Sequence, residues 1–205
     1  MKSDVTRRFA IGSMAATRGM AGGGLALPDM AMAMTTERAK TLVDALVADI
    51  NGVIASGKSE QDMYTEFERI FARYADVPTI ASYAMGVDAR RATPAQMREF
   101  TTVFQLYISV KYGRRFREFI AGQIEVQGAR EVKSFYEVKS LAVLRGQAPF
   151  EVTFLVSDRS GKDLFFNLFI EGINMLLTER TEIGAMLDRR GGDIDAMIAD
   201  LRASA

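Results

Sequence analysis

The segment DLFFNLFIEGINMLL, residues 163–177, decides the fold, because its first half has the composition of a β-strand yet is apolar at nearly every position. Successive residues of a strand point to opposite faces of the sheet. Apolar side chains are therefore predicted on both faces: Leu164, Phe166, Leu168 and Ile170 on one, Phe165 and Phe169 on the other. An antiparallel strand usually keeps one wet face. We interpret this strand as a central one that is covered on both sides.

Three segments before it alternate with the same period of two: residues 123–127, 131–146 and 149–158. The sequence SDRSG at residues 157–161 predicts a hairpin turn, which makes the last two strands antiparallel. Together with residues 163–172, these segments predict a four-stranded antiparallel meander.

Helices precede and follow the predicted strands. Apolar side chains at spacings of three and four predict a helix over 37–56, a second that Ser59 caps, and a third that ends at Gly86. A fourth is predicted over 94–121, where Thr93-Pro94-Ala95-Gln96 is a strong start signal. Two more follow the sheet, over residues 179–187 and 194–201. The predicted fold class is α+β, with N-terminal and C-terminal helices packed on a curved four-stranded antiparallel sheet.

The fourth helix changes its apolar face along its length. One arc carries Phe100, Val103, Phe104, Tyr107 and Ile108, and a second, rotated by roughly 120° at 100° per residue, carries Tyr112, Phe116, Phe119 and Ile120. Gly113 lies near the change, where a glycine allows a bend. We interpret the two halves as packing against different surfaces.

Composition excludes several classes of function. The chain has 205 residues, 48% of them hydrophobic, and its 26 basic residues balance its 26 acidic ones, so the positive field that nucleic acid requires is missing. It contains neither cysteine nor histidine, which removes disulfides, thiolate and histidine-dependent catalysis, and the usual zinc and haem ligands. We predict no nucleic-acid partner, no metal site and no cofactor.

The first 33 residues differ from the rest. TRRFA at residues 6–10 is similar to a twin-arginine export signal, and AMA at residues 31–33 fits a small-x-small cleavage site. A basic tail with no targeting role is the alternative. The predicted organisation is a signal peptide over 1–33 and a single periplasmic domain over 34–205.

Three segments of that domain resemble the MlaC family, also called the toluene-tolerance family. They are YADVPTIASYAMG (74–86), ATPAQMREFTTVF (92–104) and IEGINMLLTERTEIGAMLDRRGGDIDAMIADL (170–201), and the similarity extends from about residue 37 to 202. The family consists of periplasmic phospholipid-binding proteins of the Mla lipid transport system, which maintains outer-membrane lipid asymmetry. The chain departs from the family pattern in having no tryptophan, and in having Asn174 where Ser or Thr is usual. These departures leave the preferred headgroup open.

The resemblance implies a function as well as a fold. It implies an apolar pocket between helices and sheet, phospholipid as cargo rather than a cofactor, and no catalysis. The implied partners are a membrane-bound ABC transporter complex and an outer-membrane lipid complex. A branch of the family is associated with hopanoid biosynthesis, so a polycyclic lipid is an alternative cargo. We predict that nine residues line the pocket: Phe104, Ile108, Tyr112, Phe116, Val152, Phe154, Phe166, Leu168 and Ile170.

Other residues have competing interpretations. The basic run Lys111, Arg114, Arg115 and Arg117 either attracts a lipid phosphate or, as we prefer, solvates an exposed helix end. Glu171 and Arg180 are predicted to form a structural ion pair. An α+β enzyme that uses a buried carboxylate is the second hypothesis, with three candidate general bases: Asp76, Glu118 and Glu171. A subunit that only docks onto a transporter is the third.

Overall fold

The computed structural model describes residues 33–116, 122–144 and 146–205, without the side chains of Arg115 and Phe116. The export signal predicted over 1–33 lies outside these residues, apart from Ala33. The six α-helices of the described chain are α1 (Thr36–Ala55), α2 (Glu60–Tyr74), α3 (Val77–Met85), α4 (Pro94–Phe116), α5 (Met175–Arg189) and α6 (Ile194–Ser204), and a 3₁₀ helix (Gly86–Arg90) follows α3.

The sheet has five antiparallel strands in sequential order, where the sequence predicted four. They are β1 (Gln123–Val132), β2 (Phe135–Val143), β3 (Phe150–Ser157), β4 (Leu164–Ile170) and β5 (Ile173–Asn174). The segment predicted as one strand from 131 to 146 instead contains the turn between β1 and β2, where Lys133 has φ 55°. Tight turns with positive φ are usually marked in a sequence by glycine, and here the residue is lysine. The alternating pattern alone therefore did not predict this turn.

Strand β4 lies inside the sheet, as the sequence predicted, between β3 and the two-residue β5. Strand β5 pairs with Phe169 and Ile170 at one end of β4. Further along the same strand, Phe165 forms a parallel bridge with Ala75, and its carbonyl accepts a 2.8 Å hydrogen bond from the Asp76 N–H. The link between α2 and α3 therefore pairs with β4 where β5 does not.

A β-bulge in β4 changes which of its side chains share a face of the sheet, relative to the prediction. Leu155 pairs with Asn167 but Val156 pairs with Phe165, so Phe166 is the extra residue. A bulge of this kind interrupts strict alternation. It places Phe165 on the face that carries Leu168, and the Phe165 ring meets the ring of Phe154 edge-on at 5.8 Å.

The helices cover the sheet face that carries Val138 and Val156, both fully buried. Helix α1 packs on β1, β2 and β3, and α4 packs against α2, α3 and α6. The first arc of α4 fills this core, with Phe100 and Phe104 fully buried at a ring separation of 5.4 Å. Of the second arc, the structure describes the side chain of Tyr112 alone, one turn beyond Ile108; the side chain of Phe116 and residues Phe119 and Ile120 lie outside the described chain.

Gly113 allows a close approach of α4 to α2. A Cβ atom on this glycine would lie 2.6 Å from Cδ1 of the buried Tyr64, far inside van der Waals contact. The structural requirement at this position is therefore space for the Tyr64 ring, which the sequence did not reveal.

We expect Gly113→Ala to lower the free energy of unfolding by about 1–3 kcal/mol, because the added methyl group overpacks the contact with Tyr64. Gly52→Ala in α1 is the matched control, since nothing lies within 4 Å of its Cβ position. The control should raise stability by up to ~1 kcal/mol through helix propensity. Urea unfolding followed by circular dichroism measures both, and equal stabilisation by the two variants would contradict the close contact.

Candidate functional site

A cavity of about 530 Å³ lies between the sheet and the helices. Helices α1 to α5 contribute to its wall, as do β1, β3, β4 and the loop between β2 and β3. The apolar side chains of the wall are Leu46, Ile50, Phe67, Ile70, Phe71, Ile80, Ile108, Ile124, Leu144, Ala148, Phe150, Val152, Phe154, Phe165, Phe166, Leu168, Ile170, Met175 and Leu176. This volume falls within the range of small-molecule pockets, and the wall suits hydrocarbon.

Seven of the nine predicted residues stand in this wall: Ile108, Tyr112, Val152, Phe154, Phe166, Leu168 and Ile170. Ile108 and Tyr112 of α4 and the strand pair β3–β4 thus contribute to the same cavity. That these residues bind lipid remains a prediction.

The structure does not place the other two predicted residues, Phe104 and Phe116, in the cavity wall. Phe104 does not line the cavity, because its ring is fully buried between Phe100 and Tyr107 in the core behind it. Phe116 has a side chain outside the described part of the chain. Phe104 lies one helical turn before Ile108, the first residue of α4 in the cavity wall, so its ring packs in the core instead.

A polar cluster interrupts the apolar wall where α4 meets α5. Glu179 is 3% exposed, and its Oε1 accepts hydrogen bonds from Lys111 Nζ at 2.8 Å and from the Tyr112 hydroxyl at 2.6 Å. Lys111 Nζ also lies 2.5 Å from Glu182 Oε2, which accepts a 2.9 Å hydrogen bond from the Tyr107 hydroxyl. Lys111 therefore does not simply solvate a helix end, as the sequence suggested.

Burial and charge shift the titration of this cluster. Burial raises the pKa of Tyr107 to about 12. Burial alone would lower the pKa of Lys111, but its hydrogen bonds to Glu179 and Glu182 outweigh that effect and raise the pKa to about 12. The lysine remains a cation throughout the physiological range and compensates part of the cluster's negative charge.

Sequence reasoning missed Glu179 and the contribution of α1 and α2 to the wall. A signal for Glu179 was present, since it lies between Leu176 and Ile183 on the apolar stripe of α5. A charged residue at such a position has to be paired or serve a function. The apolar residues of α1 and α2 gave no such signal, because the periodicity that identifies a buried face does not distinguish core from cavity wall.

The three candidate general bases lie in different places. Asp76 caps α3 by accepting the Thr79 N–H at 3.2 Å, Glu171 contributes to the cavity wall from the exposed turn after β4, and Glu118 lies outside the described chain. Within residues 33–116, 122–144 and 146–205, no three potential metal-ligating side chains cluster.

The predicted ion pair of Glu171 and Arg180 does not form. The Arg180 guanidinium instead lies 5.1 Å from the centroid of the Tyr83 ring.

In the part of the chain that the structure describes, none of the helices has both the length and the apolar character needed to cross a bilayer.

Comparison with known proteins shows the family of this chain. The model of the MlaC protein family matches residues 40–203, most of the chain. The chain belongs to the MlaC family. The resemblance seen in the sequence is thereby confirmed.

Among solved structures, this MlaC-family chain is similar to a phospholipid-binding protein from Ralstonia solanacearum, determined in complex with a phospholipid. The two chains are 18% identical and superpose with a TM-score of 0.70 over 81% of this chain and 96% of the other. At this identity the likeness shows a shared fold. A search of curated proteins finds no significant match.

We expect the MlaC-family chain to lose stability as the pH rises from about 10 to about 12. Above pH 10, tyrosine in the unfolded chain releases its proton, whereas Tyr107 in the folded chain keeps it until about pH 12. Lys111 acts in the same direction, because its folded pKa also exceeds its ordinary value of 10.5. The unfolded state therefore binds fewer protons in this range, and the free energy of unfolding falls.

Tyr107→Phe tests this assignment, because it removes one of the titrating groups. Urea unfolding at pH values from 8 to 11 should show a shallower alkaline decline in the variant than in the wild type. Tyr83→Phe is the control, since 41% of Tyr83 is exposed to water. A decline that is equally steep in wild type and Tyr107→Phe would refute the role of the buried phenol.

Proposed function

We propose that this chain is a periplasmic carrier that holds the acyl chains of a phospholipid in the cavity between its sheet and helices. The observation that carries this proposal is the cavity itself, about 530 Å³ in volume with a wall built mainly of aliphatic and aromatic side chains. A close-packed domain of this size has few voids larger than a water molecule. A continuous apolar space of this volume is a binding site for an apolar ligand.

The energetics of such a site suit a carrier. Each methylene removed from water contributes ~0.8 kcal/mol, so two chains of ~15 methylenes gain about 24 kcal/mol over water. Relative to a bilayer, the same transfer is nearly neutral because both environments are apolar. A carrier built in this way keeps lipid out of water and still releases it to a membrane-bound acceptor.

Family membership supports this function. The solved structure with a TM-score of 0.70 is that of a protein described as phospholipid-binding and determined with a phospholipid bound. The wider assignment, delivery of lipid between a membrane-bound ABC transporter complex and an outer-membrane lipid complex, rests on the family and on the export signal proposed for residues 1–33.

Extraction of the purified protein with organic solvent, followed by mass spectrometry, tests the function directly. We expect stoichiometric phospholipid. A polycyclic lipid of the hopanoid type would support a carrier of the same fold with a different cargo. A protein free of lipid after purification, and unable to take up lipid from vesicles, would contradict the proposal.

We expect Leu168→Asp to reduce lipid retention more than tenfold, because a carboxylate in the cavity wall loses its hydration against hydrocarbon without a compensating partner. Leu177→Asp is the matched control. It adds the same charge at a side chain that is 51% exposed in the first turn of α5, where an acidic residue is favourable.

Lipid co-purification and thermal unfolding are measured for both variants. The control should retain lipid at the wild-type level. Full retention by a folded Leu168→Asp variant would show that the acyl chains occupy a different place.

A further inference from the structure

A groove between α3, the 3₁₀ helix and α5 forms a second concave surface of the protein. Its wall includes Thr79, Ser82, Tyr83, Val87, Arg90 and Arg180. The same two α-helices also contribute to the lipid cavity, α3 through Ile80 and α5 through Leu176. Helices α3 and α5 therefore have one face toward the cavity and another toward this groove, which we call the outer groove.

The outer groove has apolar side chains that face water. Tyr83 is 41% exposed and Val87 is 61% exposed, and both belong to the five large apolar side chains that are exposed in the described chain. Val87 and Arg90 are three residues apart, which aligns their side chains on a 3₁₀ helix. An apolar side chain and a cation thus lie next to each other on this surface.

The Arg180 guanidinium is held in the outer groove without a carboxylate. Its Cζ lies 5.1 Å from the centroid of the Tyr83 ring, and its Nε would lie 3.2 Å from a Cβ atom on Gly86. Among the residues that the structure describes, none forms a hydrogen bond or an ion pair with the guanidinium of Arg180 or of the exposed Arg90. The N–H donors of both groups therefore face solvent or a partner outside the chain.

The charge of the outer groove is positive. Its wall contains the two arginines and no carboxylate, so it has a formal charge of +2. The two acidic residues that are close to these arginines in the sequence have other partners, since Asp88 pairs with Arg91 and Glu179 pairs with Lys111. The surface that complements this groove is therefore anionic.

We propose that the outer groove docks the protein on an anionic membrane surface, with lipid phosphates at Arg90 and Arg180 and with Tyr83 and Val87 among the headgroups. Guanidinium groups match phosphate oxygens in geometry as well as in charge. Tyrosine is enriched at the membrane–water interface, where its ring is apolar and its hydroxyl is hydrated. Each basic side chain close to an anionic leaflet adds to the attraction.

The position of the groove favours a lipid surface over an acidic segment of another protein. This inference rests on the proposed carrier function, which requires the protein to meet the bilayer that supplies or receives its cargo. Docking through the outer groove places α3 and α5 on that bilayer, and Ile80 and Leu176 on the other faces of these helices line the lipid cavity. The groove thus brings one wall of the cavity close to the membrane.

Vesicle flotation tests the proposal with the full chain and two kinds of vesicle, one of phosphatidylcholine alone and one of phosphatidylcholine and phosphatidylglycerol in equal amounts. We expect binding to the anionic vesicles at low salt, weaker binding as salt rises, and little binding to phosphatidylcholine. Equal binding to both kinds, or none, would overturn the proposal. Binding of soluble glycerophosphate without binding to vesicles would overturn it as well, because the groove would then be a site for a free anion.

Arg90→Glu separates the groove from the rest of the chain. We expect it to weaken binding to the anionic vesicles by about fivefold or more, because attraction at one site becomes repulsion. Arg189→Glu is the matched control, since it makes the same charge change at an exposed residue. Arg189 lies nine residues after Arg180, which places it on the opposite face of α5. The control should bind within about twofold of the wild type.

Val87→Ser tests the apolar contact in the same assay. We expect a loss of about fourfold, which corresponds to one methylene withdrawn from the membrane. Leu106→Ser on α4 is the control, because Leu106 is also exposed, at 38%, but does not line the groove. Circular dichroism checks that all four variants are folded. Equal losses in a variant and its control would show that the groove is not the docking surface, since residues 1–33 are the same in every chain.

The docking and carrier proposals fail separately. A protein that contains lipid but does not bind anionic vesicles, or whose Arg90→Glu variant binds them as well as the wild type, refutes the docking groove and leaves the carrier intact. A protein that binds anionic vesicles through the groove and neither contains nor takes up lipid refutes the carrier function.

Discussion

The helices of this fold do not fill all of the space beneath the sheet that they cover. At one end the space between them is filled, with Phe100, Phe104 and Val156 packed to full burial. Elsewhere, residues of β3 and β4, together with Ile108 and Tyr112 of α4, line an unfilled space of about 530 Å³. An unfilled apolar space destabilises a fold, because its lining atoms lose contacts that a packed core would supply. We therefore expect this space to bind an apolar ligand.

The elements around the cavity are held together by interactions that do not fill it. The Asp76 N–H joins the link between α2 and α3 to β4, and Asn167 of β4 accepts from the Leu176 N–H at the start of α5. The ion pair of Lys111 and Glu179 joins α4 to α5. Hydrogen bonds and ion pairs are directional, so they position these elements where close packing of side chains is absent.

Much of the fold could be read from the sequence, because periodicity and capping are local properties. The Thr93-Pro94-Ala95-Gln96 start of α4, the shift of its apolar face and the β3–β4 hairpin all follow from residues close together in the chain. The turn at Lys133 and the bulge at Phe166 did not, because neither carries a glycine or other local marker. Both are set by pairing with another strand. Where the packed core ends and the cavity begins is likewise decided by packing between helices and sheet. Phe104 and Ile108 share one face of α4, so the sequence did not distinguish the core residue from the wall residue.

The proposed carrier function requires that acyl chains lie beneath β3 and β4. Nuclear magnetic resonance with a phospholipid carrying a nitroxide on one acyl chain measures this most directly, because the spin label broadens only nearby methyl resonances. The account predicts broadening at Ile108, Val152 and Leu168, with sharp signals at Ile198 and Leu201 in the packed core around α6. Broadening confined to surface methyl groups, or none at all, would contradict it.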